Sequence, residues 1–422
     1  MREAHAHLAA LGESLTIPSL EGCKGLAECL HGVRSAAATM VTPGAWVRLH
    51  SARIESWPEA RWPSIAELDT ASPASPCVLM SFDHHAAAAN SAALARACVT
   101  PGRVIEPHGT VVVDNFGRAT GLLLEGAAYR VWKSAPEPPI AERAGFIAAA
   151  LAHLHELGFT EVHDLHSQEW LGPCLAALER AGGLSLSVWL YPPADRLRAE
   201  HASRKAWESP RVRLAGGKVF ADGTLNSRTA AVLTDYREPM PGLPRGRIMV
   251  DGAILRDHLT TAEQLGLHLA VHAIGDGAVR FVLDAIEDVA RSRPRSASRT
   301  FGERHRMEHC ELIDEADVPR FASMGVVCSA QPCHLLSDVE ALHRYQPHRL
   351  GRVLPLRELI DSGLAPGRDL WFGSDVPIVR ADHEDSIRAA VDRRRESAPA
   401  SQAIGWEQRI TEAEANAAFC VT

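Results

Sequence analysis

Nine cysteines are scattered along the chain without a single CxxC pair, so neither a disulfide framework nor a cysteine-zinc knuckle is indicated. No apolar run approaches the ~20 residues that a membrane span needs. The amino terminus also lacks the charged-then-apolar pattern of a secretory leader. Lysine and arginine are dispersed and the formal net charge is −8, which leaves no basic patch for nucleic acid. Neither an internal repeat nor a low-complexity tract is present. The plain expectation is a reduced, cytoplasmic protein with no nucleic-acid or membrane partner. A homo-oligomer is compatible with the sequence. At 422 residues, 46% of them hydrophobic, the chain can form one large barrel with insertions or two to three ordinary domains.

The stretch LHLAVHAIGDGAV (267–279) organises the rest. Leu267 to Val271 is short, apolar and partly β-branched, as a strand buried on both faces should be. His272 ends it, Gly275 turns the chain, and Asp276 stands where an N-cap would sit. Beyond it Val279, Val282, Leu283 and Ile286 share one helical stripe. In a (β/α)₈ barrel the carboxyl ends of the strands carry the chemistry, and other strands of this chain end the same way.

The sequence opens with EAHAHL, where His5 and His7 point to one side of a strand because side chains alternate. Two imidazoles there can bind one metal ion, although two solvated histidines at a frayed terminus give the same pattern. His153 and His155 share the spacing but fall in a predicted helix (148–157), where positions two apart do not face each other. Residues 8–140 are irregular and read as a lid or substrate wall inserted after the first strand. Within them 77–82 reads as a strand leading into DHHAAAANSAALARA, an alanine-rich helix. His84, His85 and Asn90 flank that helix, where capping and surface roles compete with substrate contact. From residue 140 helices alternate with strands predicted at 159–164, 184–191, 211–223, 267–271, 304–309, 325–332 and 369–375. With the HxH strand this makes eight, the pattern of an α/β protein with a (β/α)₈ TIM-like barrel.

His5, His7, Lys218, His272, His309 and Asp375 thereby fall at or near the ends of five strands. Each has a bland alternative: Lys218 a salt bridge, His309 a satisfied core histidine, Asp375 a helix cap. Their joint position around one barrel mouth favours a site, and four imidazoles, a lysine and a carboxylate suit zinc better than magnesium or calcium. His163, beside Asp164, is as consistent with packing as with function.

The stretches EAHAHL, SFDHHAAAANSAAL, GGKVFADGTLNSRTAA, LAVHAIGDGAV, RHRMEHCELIDEADVPRFASMGVVCSAQPCHLLSD and LWFGSDVPI resemble the amidohydrolase superfamily. The likeness is closest to its amidohydrolase-3 branch of YtcJ-like and N-substituted formamide deformylase-like proteins, and it runs in family order from residue 3 to about 395. It implies one metal-dependent hydrolase barrel domain over 1–422, with 8–140 inserted. It also implies a zinc held by His5 and His7, a second held by His272 and His309, and Lys218 bridging both as a carbamate. Asp375 would contact metal and act as general base. His85, Asn90, His305, Gln331 and His334 match motif positions that line the substrate pocket or support the ligands. The implied reaction is hydrolysis of a non-peptide C–N bond in an N-substituted amide or formamide.

Family members carry a small β-sandwich flanking the barrel. Only four residues precede His5 and the chain ends in the last barrel helix, so the sandwich is expected to be missing. That shortens the first strand and exposes apolar surface. The competing readings are ester or lactone hydrolysis at the same metals, and a metal-poor barrel that only binds a ligand. A single-metal deaminase fits less well, because HAIGD lacks an HxxE arrangement.

Overall fold

The computed structural model describes residues 1–40, 44–82, 84–101, 109–136, 140–240, 242–291 and 304–420. Two compact units emerge, one of Met1–Gly12 with Arg143–Thr422 and one of Glu13–Glu142. In chain order the strands are β1 (Arg2–Ala6), β2 (Val47–Ala52), β3 (Cys77–Ser81), β4 (Ala86–Ala89), β5 (Thr110–Val113), β6 (Ala119–Leu124) and β7 (Glu161–Leu165). They continue as β8 (Ser187–Tyr191), β9 (Val212–Leu214), β10 (Gly216–Phe220), β11 (His268–Ala273), β12 (Arg306–His309), β13 (Val327–Ala330) and β14 (Leu370–Phe372).

The first unit holds two all-parallel sheets, ordered β1-β7-β8-β9 and β10-β11-β12-β13-β14. Isolated parallel bridges, Ala6 to Val376 and Pro193 to Lys218, link the two sheets at both ends of the series. Strands such as β11 and β13 are buried throughout, which is why they read as continuous apolar runs rather than alternating ones. The strand expected over 211–223 is instead broken at Ala215. Its first half pairs with β8 and its second with β11. Gly216 permits that second pairing: a Cβ there would lie 2.1 Å from the His268 carbonyl oxygen.

The helix Asp276–Arg291 buries Val279, Val282, Leu283 and Ile286 as one stripe, as its spacing predicts. Asp276 does not cap it. Its carboxylate accepts from Leu233 N at 2.8 Å and pairs with Arg349, while the first-turn N–H groups of Gly277 and Ala278 donate to Ala231 O. His153 and His155 lie in the helix Ile140–Glu156, as expected.

The second unit is a five-stranded sheet, β2-β3-β4-β6-β5, with an apolar cluster on each face. Alternation along β3 sends Cys77 and Leu79 to one cluster, Val78 and Met80 to the other. The alanine-rich segment differs from expectation. Ala86–Ala89 forms β4, antiparallel between β3 and β6, and the helix begins only at Ser91. Small side chains fit a strand covered on both faces, so tertiary pairing overrides the helical preference of alanine.

His163 on β7 is fully buried. Its Nδ1 lies 2.7 Å from Arg306 Nη1 and its Nε2 3.2 Å from Glu161. Burial, with the Arg306 guanidinium, pushes the imidazole from 6.5 down to about 4, against the pull of Glu161. The native state therefore refuses a proton that the unfolded chain accepts. This contribution, roughly 3 kcal/mol, is complete above pH 6.5 and is lost as pH falls toward 4. We expect the urea midpoint to drop across that window, and His163→Gln to flatten the drop. Equal pH slopes in the two proteins would refute the assignment.

Candidate metal centre

Five of the six residues singled out at strand ends are firmly buried, and His7 is half-buried. The His7 Nδ1 donates to the Leu165 carbonyl at 2.6 Å, which leaves its Nε2 2.9 Å from Asp375 Oδ1. The Nε2 of His5 approaches the same oxygen, at 3.2 Å. Two imidazole nitrogens, one on the first strand and one just after it, thus converge on one carboxylate oxygen more than 360 positions away.

Alternation alone would put His309 on the face opposite Glu308. A positive φ of 71° at His309 ends the strand geometry there, and both residues reach His5. The His309 ring centre lies 4.9 Å from that of His5 and 4.4 Å from that of His272. Asp375, with φ of 65°, likewise leaves the strand conformation. Such left-handed backbone at non-glycine residues clusters at functional sites. Lys218 lies mid-strand on β10, and its charge bears on His5, His7 and His309.

The electrostatics suit metal ligation. Burial, reinforced by His272 and His5, holds His309 well below the ordinary histidine value, hence neutral. Burial pushes the Lys218 amine down to about 8. Burial alone would raise the Asp375 carboxyl, but His5 and His7 hold it well below the ordinary carboxylate range. Lys218 Nζ, His309 Nδ1 and His334 Nε2 are buried with no hydrogen-bond partner among the described residues, a costly condition unless something else satisfies them. Ligand atoms of His5, His309 and Asp375 lie within 4.8 Å of one another, as do those of His309, Glu311 and His334. Imidazole and carboxylate donors of this kind fit a borderline metal such as zinc.

Of the further expected residues, Gln331 and His334 join this cluster. Gln331 Nε2 lies 3.2 Å from His5 Nδ1, and His334 Nε2 lies 3.8 Å from Asp375 Oδ2. His305 is not brought there. It precedes β12 at its amino end, where Nδ1 accepts from Leu269 N and Nε2 faces Glu263. In the second unit Asn90 caps the helix Ser91–Arg96 through Ala93 N and also holds Cys77 N, Ser72 O and Ser75 O. His85 pairs with Glu125 at 2.7 Å.

Sequence reasoning missed the carboxylates that support the cluster. Glu308 meets His5 Nδ1 at 2.8 Å. Glu3 accepts from His5 N, Ser374 N and Ser374 Oγ, although burial pushes it up to about 7. Asp222 accepts from Ala231, Ile274 and Gly275 backbone N–H groups and lies 3.5 Å from His272 Nε2. Glu311 faces His334 Nδ1 at 3.3 Å. Only Glu308, adjacent to His309 in the RMEH strand, left a usable signal.

Parallel strands that gather buried histidines, a lysine and an aspartate on or just beyond them define a candidate metal centre of the metal-dependent hydrolase class. The sequence model described as Amidohydrolase family matches residues 1–419, and the chain belongs to that family. It is 30% identical over 341 residues to the Bacillus subtilis (strain 168) protein YtcJ, assigned by name to the amidohydrolases, covering 78% of this chain and 60% of that one. It is 27% identical over 343 residues to the N-substituted formamide deformylase of Arthrobacter pascens, covering 77% and 60%. The chain thus spans 60% of the length of each of these curated relatives. A solved uncharacterized metal-dependent hydrolase from Pyrococcus horikoshii OT3 superposes with a TM-score of 0.74 at 25% identity, covering 98% of this chain and 78% of that one. Among the described residues no helix is long and apolar enough to cross a membrane.

Proposed function

We propose that this chain hydrolyses a non-peptide C–N bond, that of an N-substituted amide or formamide, in a small-molecule substrate in the cytoplasm. We further propose that its parallel strands close into a (β/α)₈ barrel, with residues 8–140 inserted after the first strand. The observation that carries the reading is the convergence of His5 Nε2 and His7 Nε2 on Asp375 Oδ1, with Lys218 and His309 nitrogens that have no hydrogen-bond partner among the described residues buried in the same cluster.

In this reading His5 and His7 would hold one zinc ion and His272 and His309 a second, with Lys218, carboxylated by CO₂, as a ligand common to both. When bound, the metals supply Lewis-acid polarisation of the carbonyl and a water acidic enough to attack near neutral pH. The chain's own contribution is to place and move protons. Asp375, anionic between two imidazoles, takes the proton of the attacking water and delivers it to the leaving nitrogen. His334 and Gln331 bind the substrate beside it.

The test is zinc content per chain after purification with zinc and bicarbonate, followed by a panel of N-acyl and N-formyl amines with esters and lactones alongside. Near two zinc ions and turnover of the amines is the expected result. Folded protein that takes up no zinc would overturn the reading. Lys218→Ala is expected to lower bound zinc, with partial recovery on adding a small carboxylate that replaces the missing bridge. Unchanged zinc content in that variant would remove Lys218 from the site.

A further inference from the structure

We propose that Glu308, clamped by Arg306, is a positioning residue that fixes the tautomer of His5 and so the nitrogen it offers to metal. The inference rests on the reading of His5 as a ligand and names what controls it.

The geometry begins on β12, where Arg306 and Glu308, two positions apart, share one face. Arg306 engages both oxygens of the Glu308 carboxylate, Nε on Oε1 and Nη2 on Oε2. Both side chains are fully buried. The guanidinium is pinned in turn by Ser329 Oγ at 2.9 Å, by His163 Nδ1 and by the Ala4 carbonyl. It also lies over the Trp371 and Tyr191 rings. An ionised carboxylate only accepts hydrogen bonds. With Glu308 Oε2 2.8 Å from His5 Nδ1, the proton of that ring therefore sits on Nδ1. That leaves Nε2, on the Asp375 side, as the nitrogen the ring would turn to a bound metal.

Gln331 offers the competing arrangement. Its Nε2 lies 3.2 Å from the same Nδ1, and it already donates to Ser329 O. Donation from Gln331 to His5 would need a lone pair on Nδ1, turned toward the Glu308 oxygens, a repulsive contact at this distance. Glu308 therefore sets the tautomer. Stability alone does not explain the buried pair, since apolar side chains of similar volume often fill such a place at least as well. What the carboxylate supplies, and apolar groups do not, is an acceptor for the His5 Nδ1 proton. Ligating histidines are commonly oriented in this way, and loss of the orienting group typically weakens metal binding 10–100-fold.

The experiment is zinc affinity of the full chain, by competition with a chromogenic chelator, for the wild type, His5→Ala, Glu308→Gln and Gln331→Leu. Melting temperatures are measured on the metal-free samples. Glu308→Gln is expected to weaken zinc about 10–100-fold, and Gln331→Leu to weaken it much less. If His5→Ala loses zinc while Glu308→Gln binds like the wild type, the positioning role is overturned and the metal reading stands. A lower melting temperature with unchanged affinity would likewise reduce Glu308 to a structural group. If His5→Ala binds like the wild type, the metal reading itself falls. Should Glu308→Gln fail to fold, nitrogen NMR of the zinc-loaded wild type decides, with the His5 resonances assigned by their absence in His5→Gln. A proton on Nδ1 supports the proposal; a proton on Nε2 overturns it.

Discussion

Replacing Asp375 by Asn is expected to leave zinc bound and to lower kcat by about 10²–10⁴-fold, the range attributed to a lost general acid–base group. Asparagine keeps the shape and one carbonyl-type oxygen near the His5 and His7 nitrogens, so the cluster remains largely assembled. It cannot accept a proton at neutral pH. The wild-type carboxyl can, because the two imidazoles keep it ionised despite full burial. Since the defect lies in the chemical step, KM should change little, and kcat and kcat/KM should fall together. Zinc content and turnover must be measured on the same sample, so that metal loss and base loss are separated. Full activity with metal retained would show that another group takes the proton. His334, whose Nε2 lies 3.8 Å from Asp375 Oδ2, would then be the first alternative to examine.

The parts of this site that were legible in the sequence share one property: each is written within a few consecutive residues. The HxH pair declares itself because period-two spacing puts both imidazoles on one side of a strand. His272 is legible because an apolar run stops at it and a buried helical stripe follows. These signals also yield the parallel α/β order, since strands covered on both faces need no alternation. Apart from the hint that Glu308 gives by standing beside His309, the supporting carboxylates were not legible, because each meets its partner from a different element. Glu308 and His5 are 303 positions apart, and Glu3 and Ser374 are 371 apart. Nothing local distinguishes a glutamate that meets an imidazole from one that meets water. The backbone turn at His309 was equally invisible, because a strand pattern predicts that Glu308 and His309 part company.

His305 and Asn90 illustrate the opposite problem, in which a motif position is legible and its place in the fold is not. RHRMEH contains two histidines, and only the strand direction tells that His305 sits at the amino end, bonded to Leu269 and Glu263, while His309 sits at the other. Asn90 lies in a polar break within an alanine-rich segment. The break marks a strand-to-helix junction inside the second unit. Alanine favours helix when nothing else decides, but here the pairing of Ala88 with Leu79 and Leu122 decides. Composition could not show that β4 has strands on both sides.

The second large effect is expected from a residue with no side chain at all. Gly373 follows β14 immediately, and its backbone passes close against β1. A Cβ there would lie 2.5 Å from His5 N and 2.6 Å from Glu3 Oε1. The nearer obstacle is backbone, which cannot rotate away. The same few residues stitch β1 to the chain after β14. Glu3 Oε1 receives both His5 N and Ser374 N, and Asp375 N donates to the His5 carbonyl at 2.7 Å. Gly373→Ala must therefore push β1 outward, costing about 3 kcal/mol or more, at the upper end for an overpacked core. It should also separate His5 and His7 from Asp375, so zinc affinity falls although no ligand is changed. Gly145→Ala is the control. Gly145 lies exposed within the helix Ile140–Glu156, where among the described residues a Cβ meets nothing within 4 Å. That change should stabilise by roughly 0.5–1 kcal/mol, the helix-interior penalty of glycine relative to alanine, and leave zinc binding alone. Chemical unfolding and chelator competition on both variants check the pair. If Gly373→Ala unfolds and binds zinc like the wild type, the close approach of these two segments is not what holds the cluster. If it loses both together, the stability of the first strand and the geometry of the site are one property, set by the same contact.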